Sequence, residues 1–266
     1  MRILAAVLVI VLFILSTPSR LQTVEPLQVP VLLYHNLTPL PASNEATTLP
    51  AWEFADQMGW LAANGYTAIT TRDLQTWLAA KGDLPPRPVL ITFDDGYESN
   101  FDLAYPVLKR LGLKATVFVV TSATGKRPGT YPHLTPGELQ EMQGSRVMEL
   151  QAHSHDAHRL VDGAPALVAW PPDEIAADLA ALRAAFAEDE LNPPTAFAYP
   201  FGAYDDELLD ALADDGFALG FTVEPGYVRP GDSPLRLGRQ IIYPGTPLCR
   251  FAGIVEGRPP GGACPR

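Results

Sequence analysis

Short runs of apolar and β-branched residues recur along this chain, and the stretches between them place apolar residues at helical spacing. The runs are Pro30–Tyr34, Thr67–Thr70, Pro88–Phe93, Ala115–Val120, Val147–Ala152, Thr195–Tyr199, Ala218–Thr222 and a last one near Leu235–Ile242. Each is bounded by Gly, Pro or polar residues and is too short for a buried helix, so each reads as a buried strand. Trp52–Asn64, Thr71–Ala80, Tyr97–Leu111, Pro172–Glu190 and Asp205–Asp215 read as helices, most of them stopped by a glycine. Thr135-Pro-Gly-Glu138 is a capping box that opens a further helix to about Gln143. Sustained alternation of this kind requires parallel strands with helices outside them. With seven or eight strands, closure is favoured over an open sheet. The expected fold class is α/β, a distorted (β/α) barrel with about seven parallel strands, in a single domain.

Composition narrows the partners. A net charge of −11 and a pI near 4.8 exclude nucleic acid, which needs clustered Lys and Arg. An acidic surface suits a cationic polymer, and simple solubility explains it equally well. The 27 prolines point to long, shaped loops. Met1-Arg2 precedes an unbroken apolar run from Ile3 to Leu15, too short for a comfortable membrane span and suited to a signal-peptide core. Ser16-Thr17-Pro18-Ser19 is a poor cleavage site, so a cleaved leader and a retained anchor through residues 3–15 both stay open. Either way the chain is expected to be exported: periplasmic, secreted or held on the outer side of a membrane. Cys249 and Cys264 lie in a Gly/Pro-rich tail, and export allows a disulfide between them.

Two strand ends carry the chemistry. Thr92-Phe-Asp-Asp-Gly-Tyr97 ends one strand with adjacent carboxylates, Asp94 and Asp95. Successive strand side chains point to opposite faces, so both reach one pocket only where the strand breaks, and Gly96 permits the break. Gln151-Ala-His-Ser-His-Asp-Ala-His158 follows another strand. His153 and His158 cannot share a helical face but can converge from a loop, and His153 and His155, two apart, can share one face of extended chain. One carboxylate with two imidazoles is a ligand set for a catalytic divalent metal. Solvated or helix-capping groups are the bland alternative for either motif alone.

Thr92–Tyr97 resembles the first motif of the polysaccharide deacetylases, the NodB-homology group of carbohydrate esterase family four. Met148–His158 resembles the second motif, with the five-residue histidine spacing of the branch that acts on poly-N-acetylglucosamine. Val29–His35, Ala198–Tyr204 and Pro234–Arg239 are similar to that branch as well. The resemblance implies domains at 1–20 (signal peptide or anchor), 21–28 (tether), 29–87 (first part of the barrel) and 88–266 (deacetylase core with a Cys-containing tail). It implies a divalent ion, Zn first and Co or Ni behind it, on Asp95, His153 and His158. Asp94 would be the general base that deprotonates water, and the Phe201 amide would steady the oxyanion. Tyr199 and Tyr204 would touch the sugar. The family's usual base-orienting Arg of the third motif is missing before Tyr199, leaving Arg236 or Arg239 as substitutes. No histidine follows His158, so His155, His35 and the metal-bound water system are the proton donors available. The activity implied is removal of N-acetyl groups from a polysaccharide; a catalytically weak glycan-binding module and an O-acetyl esterase are the alternatives.

Overall fold

The computed structural model describes residues 27–42 and 44–258. Eight strands matter for the site: β1 (Val29–Tyr34), β2 (Thr67–Ile69), β3 (Pro88–Phe93), β4 (Ala115–Val119), β5 (Met148–Ala152), β6 (Ala196–Ala198), β7 (Leu219–Pro225) and β8 (Leu237–Ile241). Seven of them pair in parallel around a closed ring, in the order β1–β8–β7–β6–β5–β4–β3 and back to β1. The eighth, β2, joins the first half of β3, with Thr67 opposite Pro88 and Ile69 opposite Leu90. β4 takes over the same flank of β3 at Thr92 and Phe93. The fold is therefore the expected (β/α) barrel of seven parallel strands in one domain.

The strands read as unbroken apolar runs because both of their faces are buried. Val31, Leu90, Phe118, Ala198, Phe221 and Leu237 fill the lumen. Leu32, Ile91, Phe93, Val117, Leu150 and Phe197 face outward and pack against the helices. These are α1 (Ala51–Ala63), α3 (Tyr105–Leu111), α4 (Pro136–Ser145), α5 (Pro172–Glu188), α6 (Asp206–Asp214) and α7 (Leu248–Val255), each contributing buried apolar residues to that outer layer.

One helix has a different job. α2 (Thr71–Leu78) closes the lumen at the end where the strands begin. Its Leu74 belongs to the interior cluster, with Trp77 and Leu78 packed beside it. The plug is bonded to the wall: Glu149 Oε2 accepts from the Thr71 amide and hydroxyl, both at 2.8 Å, and Gln151 Nε2 donates to Thr71 Oγ1. The lumen is thus sealed below and open only where the strands end.

Several expectations need correction. The helix read from Tyr97 starts later, because Tyr97 pairs with His133 in a β-bridge and Glu98 donates its amide to Pro132 O. A π-helical turn, Asn100–Ala104, then leads into α3. The last strand begins at Leu237, since Pro234 O and Leu235 O are taken by the Gly220 amide and the Tyr199 hydroxyl. α7 was not foreseen in the tail; Phe251, Ala252 and Val255 bury its inner face. The leader, nearly all of the tether (residues 21–26 of 21–28) and Cys264 of the expected Cys249–Cys264 pair lie outside the described residues. No described helix is long and apolar enough to cross a membrane.

Candidate metal centre

In β3, Leu90 points into the lumen, and Asp94 continues that inward register past Thr92. Asp95 would face outward on regular strand, but it adopts φ 73° and Gly96 φ 74°. Two successive left-handed residues swing the Asp95 carboxylate back over the barrel mouth, a conformation that carries strain for a non-glycine residue. His153 extends β5 in the same way that Asp94 extends β3, on the face of Glu149 and Gln151.

The two motifs meet as the spacing requires. His153 Nε2 lies 3.3 Å and His158 Nε2 3.2 Å from the same oxygen, Asp95 Oδ1. One donor atom from each of the three side chains falls within 4.8 Å of the others. His153 Nδ1 is 2.7 Å from the Ala198 carbonyl, which fixes the ring and directs Nε2 to the cluster, the arrangement expected of an imidazole ligand. Asp95 Oδ1 is buried with no hydrogen-bond partner. A buried carboxylate oxygen left bare among imidazole nitrogens is costly unless a cation completes it. On that observation the residues fit a divalent ion.

Electrostatics separates the neighbouring carboxylates. The Asp94 carboxylate is gripped at both oxygens by Arg239, Nη1 to Oδ1 at 2.7 Å and Nη2 to Oδ2 at 2.6 Å. Arg239 is wholly buried inside the lumen and also donates to Thr222 O at 2.8 Å. Burial alone would raise the pKa of Asp94, but the Arg239 charge outweighs it and holds the carboxyl below its usual range. Burial likewise opposes ionisation of Asp95, and the closely apposed His153 overrides it, leaving Asp95 well below the usual range. Burial disfavours the His153 cation, yet Asp94 and Asp95 raise its pKa; burial and then the His153 charge lower that of His158. The Tyr97 hydroxyl is pushed up by burial and by the adjacent Asp95.

The remaining site residues sort clearly. Phe201 is exposed, stands at φ 60°, and stacks on His158 with ring centroids 4.6 Å apart. Its turn closes through Gly202 N donating to Tyr199 O, a bond in which the Phe201 amide takes no part. Tyr204 is partly exposed and donates to Glu224. Tyr199 is not available to a sugar: it is fully buried, and its hydroxyl donates to Leu235 O at 2.7 Å. His155 turns its Nδ1 to Thr121 Oγ1, 2.9 Å away. The field of His35 acts on both Asp94 and Asp95. Of the two candidate arginines, Arg239 holds Asp94, while Arg236 pairs with exposed Asp206. Sequence reading did not single out His133, whose ring lies 4.8 Å from that of Tyr97 in the same cleft.

A cleft of about 720 Å³ opens over the cluster, lined among others by Asp95, His158, Tyr97, Tyr131, His133 and Asn36. A larger hollow of about 830 Å³ lies between α2 and the start of β5 and holds none of these groups. Residues 81–220, which contain both motifs, match the polysaccharide deacetylase family.

The chain belongs to the polysaccharide deacetylase family.

Relatives agree with that placement. YxkH of Bacillus subtilis, by name a candidate polysaccharide deacetylase, is 31% identical over 91% of this chain and 81% of its own length. The poly-beta-1,6-N-acetyl-D-glucosamine N-deacetylase of Staphylococcus epidermidis is 29% identical over 71% of this chain, which spans 66% of that relative's length. Among solved structures, IcaB from Ammonifex degensii superposes with a TM-score of 0.77 at 28% identity, covering 86% of this deacetylase and 97% of IcaB. The Streptococcus pyogenes deacetylase PplD shares the fold, with a TM-score of 0.76 at 24% identity over 86% and 99% of the two chains.

Proposed function

We propose that this deacetylase removes N-acetyl groups from an extracytoplasmic polysaccharide, with poly-N-acetylglucosamine as the lead substrate, through a divalent ion held by Asp95, His153 and His158. The observation that carries the reading is the division of labour between two adjacent carboxylates. Asp95 presents a bare oxygen to two imidazoles, while Asp94 is turned into the lumen and locked on Arg239. One is dressed as a ligand and the other as a base. The names of the Staphylococcus epidermidis relative and the likeness to IcaB support the choice of polymer. Three nitrogen and oxygen donors suit Zn, with Co or Ni as substitutes.

A bound ion of this kind supplies Lewis acidity, making water nucleophilic near neutral pH and polarising an acyl carbonyl. Asp94 takes the proton from the attacking water, and Arg239 keeps it ionised and aimed for that step. The Phe201 amide donates to the oxygen that gains charge as the tetrahedral centre forms. The proton held by Asp94 passes on to the departing sugar amine, with His35 the group read as relaying it; His155 is committed to Thr121 and takes no part. Acetate leaves, and a glucosamine unit with a free amine remains in the polymer. The apolar run at residues 3–15 supports an exported protein.

The test is metal analysis of purified protein followed by acetate release on poly-β-1,6-N-acetylglucosamine, peptidoglycan, chitin oligomers and an O-acetylated glycan. Acetate from the first, stopped by EDTA and restored by Zn²⁺, Co²⁺ or Ni²⁺, is expected. Metal-loaded protein that binds glycans without releasing acetate, or that hydrolyses only O-acetyl groups, overturns the reading.

A further inference from the structure

The five-residue interval between His153 and His158 has to be held in one shape for both imidazoles to reach Asp95, and neither a helix nor a strand does it. The loop's own polar groups show how it is done. Ser154 adopts φ 76°, turning the chain sharply after β5. The carbonyls of Ser154 and His155 accept from the Thr121 and Ser122 amides, at 3.2 and 3.0 Å, on the turn that follows β4. The His155 ring reaches the same turn through Thr121 Oγ1. That leaves the amides of His155 and Asp156, which point away from the turn. Both are taken by one side chain. Asp178 Oδ2 accepts from His155 N at 2.8 Å and Oδ1 from Asp156 N at 2.7 Å.

Asp178 is an unusual residue for its position. It sits inside α5, an Ala/Leu-rich helix, and is only 6% exposed. A buried carboxylate in a helix interior loses both hydration and helix propensity, so its local environment gives no reason for it. Its two charge-assisted bonds to the loop are what it has in exchange. They clamp the segment midway between the two imidazoles, from the side opposite the β4 turn.

We infer that Asp178 is a positioning residue of the metal centre, setting the five-residue loop so that His153 and His158 close on one ion. The inference rests on the metal reading above and names a residue outside both recognisable motifs. Outer partners that orient ligands commonly change metal affinity by about 10–100-fold when removed.

The experiment compares wild type, Asp178→Asn and Asp173→Asn, an exposed control on the same helix. Asn keeps the volume of Asp178 but offers one acceptor where two amides need one each. The readouts are the Zn²⁺ dissociation constant by chelator competition, the visible spectrum of the Co²⁺ form, and thermal unfolding of the metal-free protein. Asp178→Asn is expected to bind Zn²⁺ about 10–100-fold more weakly and to shift the Co²⁺ bands, while its metal-free form unfolds as cooperatively as wild type and Asp173→Asn changes neither. Should Asn prevent folding, Asp178→Ala, which gains helix propensity and loses a buried charge, carries the same expectation. A variant with wild-type Zn²⁺ affinity and Co²⁺ spectrum overturns the inference, even if its melting point falls. Wild-type protein that binds no ion overturns the metal reading itself.

Discussion

Asp94 and Arg239 are a demanding pair of side chains. Both are buried and joined by two short hydrogen bonds, so removing one partner strands a charge in the lumen. Arg239→Met is expected to cost about 3–5 kcal/mol of stability, read by urea denaturation, and to abolish acetate release as the Asp94 carboxyl loses the charge that keeps it low. Asp94→Asn keeps the volume; it should retain metal and lose about 10²–10⁴-fold in kcat, whereas full activity with metal bound would refute its role as base. Protonation gives a further expectation. The folded pKa of Asp94 lies below its unfolded value, so its contribution is complete above about pH 3.9 and is lost as pH falls through the folded value. His153 is shifted the other way: in metal-free protein its cation stabilises the fold below about pH 6.5, and that contribution disappears as pH rises through the raised value. An ion needs the neutral ring, so binding expels that proton, and Zn²⁺ affinity should climb by up to about tenfold per pH unit in this range. Calorimetry in two buffers of different ionisation enthalpy reads the released proton. Four of these polar residues were legible because Asp94, Asp95, His153 and His158 sit in two short strings. Arg239 was not placed, since it reaches Asp94 across 145 positions and only barrel closure sets β8 against β1.

At the scale of elements, Gly220 explains why Tyr199 belongs to the core. A Cβ at 220 would lie 2.3 Å from the Tyr199 hydroxyl oxygen and 2.7 Å from Leu235 O; the missing side chain is what lets the phenol cross β7. Gly220→Ala should therefore break the Tyr199–Leu235 bond and cost about 1–3 kcal/mol by overpacking, seen as a lower thermal midpoint with metal affinity unchanged. No pattern around Tyr199 announces this, because a tyrosine's burial is decided by its neighbour on the next strand. The strands themselves were legible for the opposite reason: burial on both faces writes them as plain apolar runs. α2 reads as an ordinary surface helix, with a capping box formed by Thr70 and Asp73, and nothing in it reveals that it stoppers the lumen. α7 was hidden by the Gly and Pro residues that flank it. Leu74→Ala, which empties the plug, should cost about 2–5 kcal/mol by chemical denaturation.

For the whole molecule, an ion held at the barrel mouth as proposed would couple to the fold. An ion that binds only the folded chain stabilises it by about 2.7 kcal/mol at a free concentration 100 times its dissociation constant. Thermal midpoints with Zn²⁺ should therefore exceed those in EDTA, and identical midpoints would count against the site. The described chain begins beside Val29, at the strand-start end of β1, and Arg258 at its other limit packs near Gly253, while Gly257 meets Gln28. Both limits thus lie at the floor that α2 closes, and the cleft lies at the other end. A surface that touches Gln28 or Arg258 therefore meets the molecule from behind, and a long glycan can still drape across the mouth. A bead-bound preparation should consequently work on polymer as readily as on short oligomers.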